Sequence, residues 1–431
     1  MSSTKTAAES SGGAEVPPTN DFPPGASTRG RIGIGRIAAA YALVGLTWAI
    51  PFLASIAVLL PAKLAELPGV DKIGAFAILT IVGSIVALIA NIVFGALSDR
   101  TRSRFGSRSP WIFGGAVGAT LGLVILAISA DFTTLLIGWL VLQVAQNAYL
   151  AATSAMIADR VAPHRQGLIS GILGTSNTIA QAAGAIIGGT FATQVDTGFW
   201  TIAAIPLVGA IIILLLAPDS SNLGTHRIPL TTKTIMTTFA FPRKAPDFYW
   251  ALFGRLLLIL GFFSVINYQL FILTDYMNQS TADAGATISM AGIITTVTGV
   301  VAGLIAGPIS DKINRRKLPV LVASILIGIG AIVPFVAPQP WALIAFAGVA
   351  GFGMGMYWAV DVALVIRVLP HPGTRAKDLG ILNMANTGGQ ILAPVIVATL
   401  VQVGGYQPIF LFGALCAIVS GFLILPIKST R

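Results

Sequence analysis

One cysteine, Cys416, is all the chain has, and it falls in an apolar run. That excludes an intrachain disulfide framework and a thiolate metal centre. Charge is nearly as scarce: 10% of the 431 residues are charged, against roughly 25% in soluble domains. Histidine occurs three times, at His164, His226 and His371, each in a stretch between apolar runs. Paired metal-ligand spacing and a transmembrane histidine relay are therefore both excluded. The chain has no Gly-rich lysine loop for nucleotides and no nucleophile elbow, which argues against an ATP-driven pump or an enzyme. No cofactor and no metal site are expected. The first 28 residues are rich in Ser, Gly and Pro, lack an apolar run, and read as a disordered tail rather than a secretory signal.

Hydrocarbon is what the chain has in abundance. Hydrophobic residues make up 55% of it and the mean hydropathy is +0.85, too much apolar surface for one globule to hide. Lipid must be the solvent for much of it. Runs long enough to cross a bilayer, roughly 20 residues each, occur at Ile37–Leu60, Ile73–Leu97, Trp111–Ala130, Thr133–Ala158, Gly167–Ala192 and Phe199–Ala217. After a polar interruption they resume at Phe248–Met277, Ala284–Ile309, Leu318–Val336, Trp341–Leu369, Leu379–Val403 and Ile409–Ile427. The expected fold is an all-α polytopic membrane protein with twelve transmembrane helices. Its expected organisation is a tail over 1–35, a six-helix bundle over 36–217, a linker over 218–247, a second bundle over 248–427 and a tail over 428–431.

The net charge of +10 would suit a nucleic-acid binder, but its distribution argues against one. With the tails and even-numbered loops on one side, that side holds 23 of the 26 basic residues, while the other keeps only Lys63 and Lys72. This is the positive-inside pattern. It places tails and linker in the cytoplasm, the protein in the cell (inner or plasma) membrane, and no nucleic acid among its partners. The partners expected are the bilayer, a small-molecule substrate and a coupling cation, with the protein a monomer.

The two sets of six runs also repeat. Arg160-Val-Ala-Pro-His164 recurs as Arg367-Val-Leu-Pro-His371, and Gly171-Ile-Leu…Asn177-Thr…Gln181 as Gly380-Ile-Leu…Asn386-Thr…Gln390. Gly95-x-x-Ser-Asp99 recurs as Gly307-x-x-Ser-Asp311. Because each copy contains an even number of spans, the halves share one orientation, related by a pseudo-two-fold axis along the membrane normal.

The loop Gly95-Ala-Leu-Ser-Asp99-Arg100-Thr-Arg102-Ser-Arg104 resembles the signature of the major facilitator superfamily, with Gly307 to Arg316 as its second copy. The longer string from Ser98 to Trp111 is similar to that of the glycoside–pentoside–hexuronide cation symporters and the sucrose–proton symporters. The stretch from Leu369 to Pro394 is similar to bacterial relatives of the sucrose-type group. The resemblance implies the major facilitator fold, two six-helix pseudo-symmetric bundles that alternate access to a central cavity lined by spans 1, 4, 7 and 10. It also implies that Gly95, Asp99, Arg100, Arg104, Gly307, Asp311, Arg315 and Arg316 form a gating latch between halves. Read without the family, the carboxylates cap neighbouring helices, the arginines are topogenic, and the glycines allow close helix approach.

Two charges lie well inside spans, where an ionisable group is costly. Arg255 is about 10 Å into span 7 and Asp361 about 13 Å into span 10 from the same side, at 1.5 Å per residue. They are the candidate cation-coupling pair; a structural ion pair pinning two helices is the alternative. Span 4 offers Gln143, Gln146, Asn147 and Ser154 where sucrose-type proton symporters keep an acid. Amides and aromatic rings suit a neutral polyhydroxyl ligand. The candidate substrate residues are Tyr41, Trp48, Gln143, Asn147, Tyr357, Trp358, Asn383 and Gln390, with interhelical packing as the competing role. The function expected is symport of a sugar or glycoside with a proton or other cation. The alternatives are a proton-coupled efflux antiporter and a transport-dead sensor.

Overall fold

Asp71, Asp131 and Ser280 each start a long helix by satisfying its first free amides. The Asp71 side chain accepts from the Ile73 N–H at 3.2 Å. Asp131 accepts from the Thr134 N–H at 3.0 Å and from its hydroxyl at 2.7 Å, and these bonds hold its carboxyl below the usual range. Ser280 caps through its hydroxyl, the Asp283 N–H donating to Ser280 Oγ at 3.1 Å and that hydroxyl donating to the Asp283 carboxylate at 2.6 Å.

A computed structural model describes residues 33–223, 242, 245–313, 315–368 and 375–428. They form twelve long helical segments. The first half has α1 Ile34–Glu66, α2 Lys72–Arg100, α3 Ser109–Ala127, α4 Phe132–Arg160, α5 Pro163–Thr190 and α6 Val195–Leu216. The second has α7 Pro246–Ile266, α8 Thr281–Ile313, α9 Lys317–Val336, α10 Pro340–Val368, α11 Arg375–Gly404 and α12 Gln407–Leu423. This is the twelve-helix multi-pass architecture expected. Ten helices are long and apolar enough to cross a membrane by composition alone, and α12 is a shorter apolar helix. The remaining helix, α5, carries the amides described below.

The apolar runs miss two irregularities. Ser55–Leu59 of α1 is π-helical, lying between Pro51 and Pro61, whose missing N–H groups interrupt the regular ladder. The seventh run is not one helix: α7 ends at Ile266, and Gln269–Phe271 and a π-helical Ile272–Tyr276 follow it.

Packing repeats as the sequence does. In the first half α1 lies on α5 and α6, α4 on α2 and α3, and α3 on α6; the second half pairs α7 with α11 and α12, α10 with α8 and α9, and α9 with α12. The halves meet where α5 packs on α8 and α2 on α11.

That meeting is tight at one end, opposite the terminal end where α1 starts and α12 stops. A Cβ on Gly189 would lie 2.2 Å from the Gly285 carbonyl oxygen, and one on Gly285 2.3 Å from that of Gly189, so main chain touches main chain. Nearby the Ser289 hydroxyl donates to the Ala185 carbonyl at 3.3 Å, and Phe76 stands edge-on to Tyr268 at 5.2 Å. Lys72 of α2 crosses to Asp275 at 2.8 Å, whose other oxygen accepts from the Tyr406 hydroxyl at 2.6 Å. Lys63 pairs with Asp196 within the first half. Both basic residues that break the charge asymmetry are thus ion-paired. At the terminal end the same helices stand apart: a Cβ at Gly167, Gly171 or Gly174 of α5 meets nothing within 4 Å.

Candidate functional site

Between the halves lies a cavity of about 880 Å³, sealed at the far end by the contacts above. Its first-half wall is an aromatic ladder. Trp48 and Phe52, one turn apart on α1, have ring centroids 5.9 Å apart, and Phe52 stacks on Trp139 of α4 at 5.7 Å. Trp139 sits over Gly83, where a Cβ would come within 2.3 Å of its indole nitrogen, and donates from Nε1 to the Leu79 carbonyl at 2.9 Å. Amides flank the ladder. Trp48 Nε1 donates to Asn177 Oδ1 at 3.1 Å, and Gln143, Asn177, Thr178 and Gln181 line the same space. The second half contributes Phe262, Phe263, Phe346, Trp358, Asn267 and Gln390. Among the described residues no Asp, Glu, Lys, Arg or His lines the cavity.

Of the eight candidate substrate residues, Trp48, Gln143, Trp358 and Gln390 line this wall. Three turn elsewhere. Tyr41 is buried and donates its hydroxyl to the Thr153 carbonyl at 2.6 Å, because a phenol inside a bundle takes whatever acceptor lies at its own depth. Asn147 donates to the Gln143 carbonyl at 2.9 Å and faces Asn91 of α2. Tyr357 is buried beside Asp361. The Asn383 side chain lies outside the described residues. Asn177, Gln181 and Trp139 were not among the candidates; the first two fall in the repeated Gly171-to-Gln181 segment, and Trp139 lies four residues before Gln143, on the same face of α4.

Behind Trp358, Asp361 Oδ2 sits 3.0 Å from Arg255 Nη2, with side chains 4% and 8% exposed. Arg255 Nε also donates to Asn386 Oδ1 at 2.7 Å. The two charges expected to meet do meet, on α7 and α10, and α11 supplies a third partner. The group adjoins the cavity wall without forming part of it.

The terminal-end loop is organised around a residue the sequence did not single out. Arg108 Nη1 lies 2.6 Å from Asp99 Oδ1 and Nε 2.9 Å from Asp159 Oδ2, and Nη1 also donates to Ser98 Oγ. Burial works against its charge, but the bonds to Asp159 and Asp99 outweigh that and raise its pKa. Asp219 accepts from the Arg108 N–H at 3.0 Å and pairs with Arg160 at 2.5 Å. Gly106, at φ +82°, leaves room for that carboxylate. The second half echoes this: Arg316 Nη1 donates to Ser310 Oγ at 3.0 Å, and that hydroxyl donates to the Arg315 carbonyl at 3.1 Å. The Asp311 side chain lies outside the described residues. Arg100 is exposed, and Arg104 stacks over Phe105 at 4.7 Å. Gly95 and Gly307 do not mediate close helix approach in this arrangement, since a Cβ on either meets nothing within 4 Å; the terminal ends of the halves are parted.

Asp99→Asn is expected to slow transport several-fold at unchanged expression. Arg108→Gln is expected to cost more and to lower the melting temperature, since it strands two carboxylates. Transport normalised to protein level, beside thermal melts, decides this; normal rates in both variants would reduce the loop to a topology signal.

The Major Facilitator Superfamily description matches residues 37–305 and 257–431. An uncharacterized MFS-type transporter of Mycobacterium tuberculosis is 23% identical over 356 residues, 80% of this chain and 81% of that protein. The multidrug resistance protein MdtH of Yersinia pestis is 26% identical over 155 residues, 36% of this chain and 37% of that one. Among solved structures, the nucleoside transporter NupG superposes with a TM-score of 0.73 at 13% identity, covering 91% of this chain and 100% of its own. The human organic anion transporter MFSD10 gives 0.66 at 14%, covering 90% and 99%.

Proposed function

Since the chain belongs to the Major Facilitator Superfamily, we propose that it carries a small neutral polar solute, a sugar or glycoside, by cation symport through alternating access. The observation that carries this reading is the cavity wall. Stacked rings offer faces for the apolar side of a sugar ring, amides exchange hydrogen bonds with hydroxyls, and among the described residues no ionisable group competes for the ligand. Asp361 is the proposed cation site, with Arg255 as its counter-charge. The distribution of basic residues supports cytoplasmic termini, so the described state is open to the cytoplasm and closed outside. The bundles are proposed to span 36–217 and 248–427.

Uptake of labelled disaccharides and glycosides into proteoliposomes, with and without an imposed proton gradient, tests this. Gln143→Leu and Trp358→Ala are each expected to weaken sugar binding about tenfold or more, on the order of 1.4 kcal/mol, read by equilibrium binding. A second reading, proton-coupled efflux of amphipathic compounds, draws on the similarity to MdtH over 155 residues. Resistance to several unrelated lipophilic cations on overexpression, without sugar uptake, would favour it.

A further inference from the structure

A second space lies on the outer face of the first half, away from the transport cavity. It is a crevice of about 740 Å³ between α2, α3 and α4, walled by Val86 and Phe94, by Gly114 and Trp111, and by Val141 and Val144. Apart from Thr101 and the Trp111 indole its lining residues are aliphatic or aromatic hydrocarbon and glycine. The gap follows from the sequence of α3. Gly115 and Gly118 are used up in close approach to α4, where added Cβ atoms would lie 2.8 Å from the Ala145 carbonyl oxygen and 2.9 Å from its Cβ. Gly114, on the open side, has nothing within 4 Å of a Cβ. At Gly114 α3 has no side chain to fill the space, and an apolar slot holds water poorly.

Charge at its mouth identifies the occupant. The terminal-end rim is Thr101 and Trp111, joined by a 2.7 Å bond from the indole Nε1 to the threonine hydroxyl. A tryptophan so placed marks headgroup level. The flanking loop carries four arginines, of which Arg108 is committed to Asp99 and Asp159 and Arg102 donates to the Asp99 and Thr101 carbonyls. Arg100 and Arg104 are exposed, and no ion pair among the described residues engages either. A guanidinium fork suits a phosphate, and basic pockets beside transmembrane helices hold anionic headgroups. We propose that this crevice is a binding site for an anionic phospholipid, one acyl chain lying along Gly114 and the phosphate held by Arg100 and Arg104.

The test is lipid retention. The purified protein, delipidated in mild detergent, is incubated with phosphatidylglycerol or with phosphatidylcholine of the same chains, and bound lipid is counted by native mass spectrometry. The native chain retains phosphatidylglycerol at least tenfold over phosphatidylcholine. Gly114→Phe, whose Cβ meets nothing within 4 Å and whose ring would lie in the crevice, cuts that retention at least tenfold while the melting temperature in lipid-free detergent stays unchanged. Should the phenylalanine variant misfold, Gly114→Leu makes the same measurement with a smaller plug. The double variant Arg100→Gln/Arg104→Gln brings phosphatidylglycerol down to the phosphatidylcholine level. Equal retention of the two lipids by the native chain overturns the proposal. So does unchanged retention in the filled variant, or equal retention of an uncharged alkyl amphiphile.

Discussion

Asp361→Asn abolishes gradient-driven accumulation of substrate while sparing exchange, if Asp361 carries the coupling cation. Exchange needs no change in cation occupancy, and asparagine keeps the size and hydrogen-bonding capacity of the site while removing the charge. The expectation rests on the Arg255–Asp361 pair, held at 3.0 Å behind the cavity wall. A cation carrier must release and rebind its cargo once per cycle, so the pair must open. A structural pair predicts otherwise. Each single neutralisation would leave one buried charge unpaired, at about 3–5 kcal/mol, so Asp361→Asn and Arg255→Gln would both fold poorly. The double variant, neutral at both positions, would then recover expression and accumulation together. Uptake and counterflow in proteoliposomes separate the two accounts: a double variant that folds but cannot accumulate supports coupling, and one that accumulates normally sinks it.

Gly285→Leu is expected to lower transport at least a hundredfold by holding the far end open. The position has no tolerance, because even a Cβ would lie 2.3 Å from the Gly189 carbonyl oxygen and main chain moves only with its helix. Gly189→Leu should act the same way from the other half, whereas Gly114, which faces open space, should accept a side chain without loss of transport. Labelling of a cavity cysteine by a membrane-impermeant reagent, in a Cys416→Ser background, reports the state: the glycine variants should label from the far side. Undiminished transport by Gly285→Leu would show that this contact is not formed during the cycle.

The fold was largely legible because lipid demands long apolar runs and synthesis demands asymmetric charge, and both leave one-dimensional traces. The Arg255–Asp361 pair was legible for a related reason, since two isolated charges at matching depth have few partners other than each other. Arg108 was not legible. It is one of several arginines in its loop, and its selection depends on Gly106 turning the chain and on Asp159 and Asp219 arriving from elsewhere. Tyr41 misled because helical periodicity assigns a face but does not say what the face meets; Thr153 offered a carbonyl before the cavity did. Trp139 lies one turn before Gln143, and that spacing was a signal in the sequence; the glycine beneath it and the ring beside it are what make it part of a wall.

The seal made by Gly189 and Gly285 contains no group that titrates, and its contact is between peptide units rather than charges. Among the described residues the one ion pair that crosses beside it, Lys72–Asp275, is partly exposed at 34% and 24%, and such pairs contribute roughly 0.2–1 kcal/mol and weaken with salt. Raising the ionic strength on that side therefore loosens only the minor part of the closure. The far-end barrier is insulated from the salt of the medium it holds back.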